Sequence, residues 1–210
     1  MAELTRLHPL EQITAELVSH NNDAVTITAE PFVAMVDVRL PAEVSGAELL
    51  GTRLPTTANT WVDGGAERAI WLGPDEWLLT STAHLPEVLT GPAREAVRPL
   101  GGVVTDVSAQ RIGIRLSGSR ARDMLAKGCS IDLHPVVFGR GRAAQTSVGL
   151  AGVILLAMSD AGDEFLLLVR SSFAGYLADW LLDAAQEFST EFGTAKFSTE
   201  KFSDPISDQE

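Results

Sequence analysis

Two acidic pairs are the residues of this chain whose types and spacing best fit a role in general acid–base catalysis. Asp75-Glu76 stands in the phrase GPDEWLL, and Asp163-Glu164 stands in its near-copy GDEFLLL. Converging carboxylates can divide general acid and base roles between them. Neighbouring residues of a strand point to opposite faces, however, and Asp favours turns, where its side chain bonds nearby backbone amides. The pattern therefore favours turn residues between short strands over a catalytic pair.

Histidine and cysteine add no second candidate for catalysis. The histidines are His8, His20, His84 and His134, and no two of them have metal-ligand spacing. The single cysteine, Cys129, cannot form an intrachain disulfide and has no histidine signature beside it, so we expect a small buried apolar residue. A nucleophile elbow, a P-loop and a GxGxxG after a strand are also missing. The sequence thus predicts no catalytic, cofactor-binding or metal-ligating residue in this chain.

The charge of the chain argues against nucleic acid as a partner. Lys and Arg total 16 against 28 Asp and Glu, for a net charge of -12. A phosphate backbone repels such a chain, and the basic stretch FGRGRAAQ is too short to reverse this.

The first residues lack a signal-peptide pattern, and the longest apolar run, GLAGVILLAM, is about half of a membrane span. We therefore expect a soluble cytoplasmic protein without a membrane or nucleic-acid partner.

The elements that must position these residues follow the same order in both halves. The first half reads as a strand at 32–40, a helical region at 42–54, a loop at 56–65, strands at 68–73 and 76–81, and a helix at 85–100 that breaks or restarts at Gly91-Pro92. The second half begins with an extended segment at 102–118, bent near Ser108. It continues with a helix at 120–128 capped by Ser117 or Ser119, a loop at 129–145, strands at 150–158 and 164–171, and an amphipathic helix at 172–188.

Set side by side, the halves predict a duplicated fold unit. Arg39-Leu40 matches Arg115-Leu116, and Trp77 and Phe165 stand as equivalent core anchors on matching strands. Each half is strand, helix, strand, strand, helix, which packs as an antiparallel-rich sheet with helices on one face. We predict one α+β domain over residues 1–188, built of two repeats at about 32–107 and 108–188.

The ending differs in composition from the rest of the chain. Residues 189–210 are polar and acidic, and Phe192, Phe197 and Phe202 are spaced through them. Such a composition is typical of a disordered solubilising tail. The alternative, which we favour, is an arm whose phenylalanines contact grooves on another protein, so these three residues are the candidate partner contacts.

Three phrases, in order, resemble the gamma subunit of bacterial heterotetrameric sarcosine oxidase: VTDVSAQRIGIRLSGSRARDMLAKGCSIDLHP, AAQTSVGLAGVILLAM and DEFLLLVRSSFAGYLADWLLDAA. The earlier phrase WLGPDEWLL is also similar to that family, so the likeness covers roughly residues 32–188. More distantly, the chain resembles the folate-binding domain of the glycine cleavage T-protein, which implies the same fold here.

The departures from the T-protein pattern imply a scaffold that has lost its folate site. Asp106-Val107-Ser108 is kept, but Ala109 stands where the T-protein has a histidine. Leu155 and Leu156 occupy the place of its paired aspartates. A leucine side chain can neither accept a proton nor bond a pterin amine, so the resemblance implies a non-catalytic chain.

The resemblance also implies the reaction, the partner subunits and the cofactors of the complex to which such a chain belongs. The family's complex demethylates sarcosine oxidatively to glycine, with a one-carbon unit passed to folate or released as formaldehyde, plus hydrogen peroxide. The resemblance implies alpha, beta and delta subunits as partners, with FAD, FMN, NAD, zinc and folate in those subunits and none in this chain. A stand-alone folate-binding, aminomethyltransferase-like protein is the alternative, with Asp106 as its best-placed carboxylate. A free-standing acidic adaptor is a third interpretation.

Overall fold

Two antiparallel sheets packed face to face form the centre of the protein, with helices on the outer face of each. The computed structural model describes residues 7–44 and 46–188. Its helices are α1 Thr14–Ser19, α2 Pro86–Val97, α3 Ala121–Ala126 and α4 Ala174–Ala185. Its strands are β1 Thr26–Ala29, β2 Ala34–Arg39, β3 Glu48–Leu49, β4 Thr52–Arg53, β5 Trp61–Asp63, β6 Glu67–Gly73, β7 Glu76–Ser81, β8 Val103–Asp106, β9 Arg111–Ser117, β10 Ala143–Val148, β11 Ala151–Ala157 and β12 Glu164–Arg170.

The two large sheets have the same strand order once the halves are matched. The first sheet runs β5-β6-β7-β2-β8, and the second runs β10-β11-β12-β9-β1. When the halves are divided just before β8, each half contributes its leading strand to the sheet of the other half, because β1 pairs with β9 and β8 pairs with β2. This reciprocal exchange joins the halves through backbone hydrogen bonds. The predicted α+β class with a repeated unit is confirmed.

The strand registers identify which residues are equivalent. Trp77 lies opposite Val38, and Phe165 lies opposite Leu116. Both aromatic side chains are fully buried, so their prediction as equivalent core anchors is confirmed. The register also corrects the match of Leu40 with Leu116, because it is Val38 that corresponds to Leu116. A slip of two residues keeps every side chain on the same face of a strand, so the burial pattern alone could not exclude it.

Three apolar clusters hold the layers together. One packs α1, α3 and α4 on the second sheet, and another packs α2 and the β3–β4 hairpin on the first. The third lies between the sheets and contains Met35, Trp61, Ile70, Leu156 and Leu168. Because the central strands are buried on both faces, they read as near-continuous apolar runs rather than as alternating ones.

The prediction of a helical region at 42–54 is wrong. Ala42–Val44 is a single 3-10 turn, and a two-stranded hairpin follows, with Glu48 opposite Arg53. Its two-residue loop has left-handed backbone angles, with φ 52° at Leu50 and 78° at Gly51. Such a loop matches the twist of a tight hairpin. The leucines still reach the core, which explains why their spacing imitated a helix.

Other local predictions fail where tertiary packing overrides propensity. Helix α2 runs unbroken through Pro92, because Leu89, Ala93 and Val97 remain packed on the first sheet and the carbonyl of exposed Val88 can be hydrated. Neither Ser117 nor Ser119 caps α3, which begins after Arg120 without a side-chain cap. Strands β1, β5 and β10 and helix α1 were not predicted.

Candidate functional site

Asp75 and Glu76 lie at the tight turn between β6 and β7. The Arg39 guanidinium lies 2.9 Å from Glu76 Oε2 and 3.7 Å from Asp75 Oδ2, and its Nε is 3.6 Å from Asp37. Burial raises the pKa of Glu76 above its ordinary value, and a hydrogen bond with Asp37 raises it further. The pair is therefore held by one arginine in a turn, while Glu76 also faces a cleft described below.

The second acidic pair performs a structural task at the equivalent turn. Asp163 accepts a hydrogen bond from the Ser159 hydroxyl, and Glu164 forms an ion pair with Arg115. Arg115 also contacts Glu30, on the segment that follows β1. Burial lowers the pKa of Arg115, but the hydrogen bonds and charges of the two glutamates raise it overall. This pair thus anchors the exchanged strand rather than forming a reactive site.

The chain crosses between the two large sheets from β1 to β2 and again from β8 to β9, and the phrase Asp106-Val107-Ser108 forms this second crossover. Asp106 Oδ1 accepts hydrogen bonds from the Ser108 backbone N–H at 2.9 Å and lies 2.7 Å from Ser108 Oγ. Ser108 Oγ accepts a hydrogen bond from the Met35 N–H at 2.9 Å, and Val107 N–H donates to the Met35 carbonyl at 2.9 Å. The carboxylate of Asp106 is therefore engaged in its own turn.

The residues at the folate position of the T-protein pattern do not fit a pterin. Leu155 and Leu156 are both fully buried. Leu155 packs against the helices of the second sheet, and Leu156 packs between the sheets. The position thus offers neither a carboxylate nor open space, and Ala109 supplies only its carbonyl, which accepts from the Ser171 hydroxyl.

The histidines are distributed over separate local networks. His84 Nδ1 lies 2.8 Å from the buried Glu67 carboxylate, in the turn that leads into α2. His134 accepts from the Val136 N–H, and His20 Nδ1 lies 2.9 Å from the Glu16 carbonyl oxygen. Over the described residues, no three His, Cys, Asp or Glu side chains come together as a metal site would require. Cys129 is buried, as predicted.

Two cavities lie beside the crossovers. The first, of about 380 Å³, is lined mainly by apolar side chains, among them Pro31, Phe32, Val33 and Ile112. The second, of about 350 Å³, is polar; we call it the arginine cleft, and its lining includes Glu76, Gln110, Arg111, Gln145 and Arg170.

Sequence reasoning did not identify the arginine cleft. Arg111 and Arg170 are 59 positions apart in the chain, and only the pairing of β9 with β12 places them directly opposite each other. No local spacing signals such a pair. The available signal was one arginine just after the predicted bend at Ser108 and another near the end of the predicted strand at 164–171.

Phe192, Phe197 and Phe202, the candidate partner contacts, lie outside the described residues. Of the helices in residues 7–44 and 46–188, none has the length and apolar character to cross a bilayer.

Comparisons with known proteins extend the description of this fold. The model of the sarcosine oxidase, gamma subunit family matches residues 35–187. A sarcosine oxidase subunit gamma from Corynebacterium sp. (strain P-1) is 36% identical over 197 residues, covering 89% of this chain and 93% of the relative. The corresponding protein from Arthrobacter sp. is also 36% identical, over 195 residues, covering 88% of this chain and 92% of the relative.

Solved structures give a consistent result. A chain of the heterotetrameric sarcosine oxidase from Corynebacterium sp. U-96, in complex with pyrrole 2-carboxylate, superposes with a TM-score of 0.79 at 31% identity, covering 88% of this chain and 96% of that one. The glycine cleavage system aminomethyltransferase T from Bartonella henselae has a TM-score of 0.52 at 13% identity, covering 80% of this chain and 48% of that one, and shares the fold alone. The resemblance stated from the sequence is confirmed, and the chain belongs to the sarcosine oxidase gamma subunit family.

Proposed function

We propose that this chain is a non-catalytic gamma subunit of a heterotetrameric sarcosine oxidase. The observation that carries the proposal is the similarity over nearly the whole length of both chains to a chain of such an oxidase. The chemistry of the described residues supports it, since the acidic pairs are held by arginines and the folate position is filled with leucine.

In this proposal the chain is a structural partner of the alpha, beta and delta subunits. Those subunits carry FAD, FMN, NAD, zinc and folate, and the assembly converts sarcosine to glycine, a one-carbon unit and hydrogen peroxide. The two sheets of this chain provide a rigid body, because the exchanged strands tie its halves together. Residues 1–188 act as the domain, and residues 189–210 act as an arm toward a partner.

Co-expression with the three partner subunits tests the proposal. The tagged chain should co-purify with them as a complex that oxidises sarcosine, and the chain expressed alone should be colourless and inactive. A yellow isolated chain that oxidises sarcosine would contradict a non-catalytic role. If no flavoprotein co-purified, the chain would instead be a free-standing adaptor.

Titration calorimetry with tetrahydrofolate separates the proposal from a stand-alone folate-binding function. We expect no binding at micromolar concentrations, because Asp106 is occupied by Ser108 and the leucines leave no polar group at the folate position. Micromolar binding by the isolated chain would favour the aminomethyltransferase-like alternative.

Truncation tests the proposed arm. Deletion of residues 189–210 should leave the unfolding temperature of the isolated chain unchanged but weaken its retention by the tagged partner subunits. Replacement of Phe192, Phe197 and Phe202 by serine in the full-length chain should reproduce the loss. Assembly as tight as that of the intact chain in both variants would show that the arm does not contact a partner.

A further inference from the structure

Two arginines face each other across adjacent strands in the arginine cleft. Arg111 on β9 is directly opposite Arg170 on β12 in the antiparallel register. Like charges at directly opposed positions of a sheet are destabilising. The repulsion between the two arginines therefore lowers the stability of the protein unless an anion lies between or beside the two guanidinium groups.

The protein itself provides little compensation for these charges. Within residues 7–44 and 46–188, neither arginine has a carboxylate oxygen within 4.0 Å of its nitrogens, whereas Arg39 and Arg115 both do. Glu76, which lines the same cleft, is already bound by Arg39 at 2.9 Å. Burial lowers the pKa of Arg111 and the charge of Arg170 lowers it further, and the charge of Glu76 offsets these effects only in part.

The duplicated fold offers an internal control for this pair. Arg111 is five residues before Leu116 and Arg170 is five residues after Phe165; counting the same steps from Val38 and Trp77 gives Val33 and Thr82. Val33 and Thr82 lie just beyond the paired ends of β2 and β7 and carry no charge, so the repeated unit does not require two arginines at these positions.

The two arginines line two cavities. The cleft of about 350 Å³ joins the pair to Gln110 and Gln145, and a second cavity of about 300 Å³ adjoins the same two arginines beside Gly152. A Cβ added at Gly152 would meet nothing within 4 Å, which leaves that approach open. Gln145 donates to the Leu72 carbonyl at 2.9 Å, which holds one wall in place.

We propose that the arginine cleft binds a small organic carboxylate, held by the guanidinium groups of Arg111 and Arg170 beside the amide of Gln110. The planar guanidinium fork matches the two oxygens of a carboxylate. Asp37 and Glu76 also line the cleft, and their charges disfavour a doubly charged anion such as phosphate more than a singly charged one. The inference concerns this chain alone and does not depend on the proposed function.

Titration of the full-length chain with acetate, in a buffer free of phosphate and other carboxylates, tests the proposal. Saturable shifts of the arginine Nε–H signals in NMR spectra should appear at an affinity on the order of millimolar. Arg111→Gln and Arg170→Gln should each weaken the affinity by at least about tenfold. Arg98→Gln is the matched control, because it removes one positive charge from an exposed ion pair with Glu95 and should leave the affinity unchanged.

Unfolding temperatures distinguish binding from a structural role. Without ligand, Arg111→Gln and Arg170→Gln should unfold at the same or a higher temperature than the parent chain, because each removes the repulsion. A lower unfolding temperature in both variants, an acetate effect shared by Arg98→Gln, or tighter binding of phosphate than of acetate would overturn the proposal. So would a structure of the assembled complex in which a partner's carboxylate side chain fills the cleft.

Discussion

Replacement of Ser108 by alanine measures what the Asp106-Val107-Ser108 phrase does in this chain. Ser108 is 5% exposed, and its hydroxyl accepts the backbone N–H of Met35, which is 1% exposed. In the alanine variant this N–H has no partner. The Met35 carbonyl remains satisfied, because it still accepts from the Val107 N–H at 2.9 Å. Asp106 is exposed, so in the variant its carboxylate accepts a hydrogen bond from water in place of the one from the Ser108 hydroxyl.

The magnitude follows from the single orphaned donor. A buried backbone N–H left unsatisfied costs about 1–3 kcal/mol, so we expect Ser108→Ala to lower the free energy of unfolding by about 2 kcal/mol. For a chain of this size that corresponds to a fall of about 4–8 °C in the unfolding temperature. The assay is urea denaturation of the full-length chain, with an unchanged slope against urea concentration as the check that both states are comparable.

Ser171→Ala is the control from the same crossover. Its hydroxyl donates to the Ala109 carbonyl at 2.8 Å at an exposed position, so water can replace it and the cost should stay below about 0.5 kcal/mol. A loss for Ser108→Ala no larger than that of the control would refute the reasoning. The phrase would then be no structural link between the sheets.

Further predictions concern the acidic turn and two glycines. Because the folded-state pKa of Glu76 is raised, the folded protein binds more protons than the unfolded one, so this residue's contribution to stability falls as pH rises through the region above about 4. Glu76→Gln should remove that decline, which denaturation at a series of pH values would show, and identical pH profiles would contradict it. Gly118→Ala should cost more than about 2 kcal/mol, since φ is 120° and the new Cβ would lie 2.3 Å from the Ala24 carbonyl oxygen. Gly152→Ala, which meets nothing within 4 Å, should leave the free energy of unfolding unchanged or raise it by up to about 1 kcal/mol, and equal losses at the two glycines would show that the contact is not decisive.

Local patterns in the sequence were sufficient for the elements with strong periodicity. The apolar runs at 151–157 and 164–170 form two paired strands, and Leu177 and Leu181 lie on the buried face of α4. The hairpin at 48–53 was misread because its leucines have the spacing of a helix, while its turn depends on left-handed angles at a leucine and a glycine. Leucine rarely adopts such angles, so no residue preference signalled them.

The arginine cleft could not be predicted, for a different reason. Its two arginines come together through the register of β9 with β12, and register is set by the burial of whole strands rather than by neighbours in sequence. The same holds for the link between Glu30 and Arg115, which depends on β1 joining the sheet of the other half.

The reciprocal exchange of β1 and β8 also constrains the order in which this chain can fold during synthesis. Strand β2 pairs with β7 early, but its other edge stays open until β8, at residues 103–106, has left the ribosome. Strand β1 waits longer, because its partner β9 ends at Ser117. During that interval an apolar edge containing Val36 and Val38 is free to pair with other chains. The first half is thus not an independent folding unit, and expression of residues 1–100 alone should yield aggregated protein.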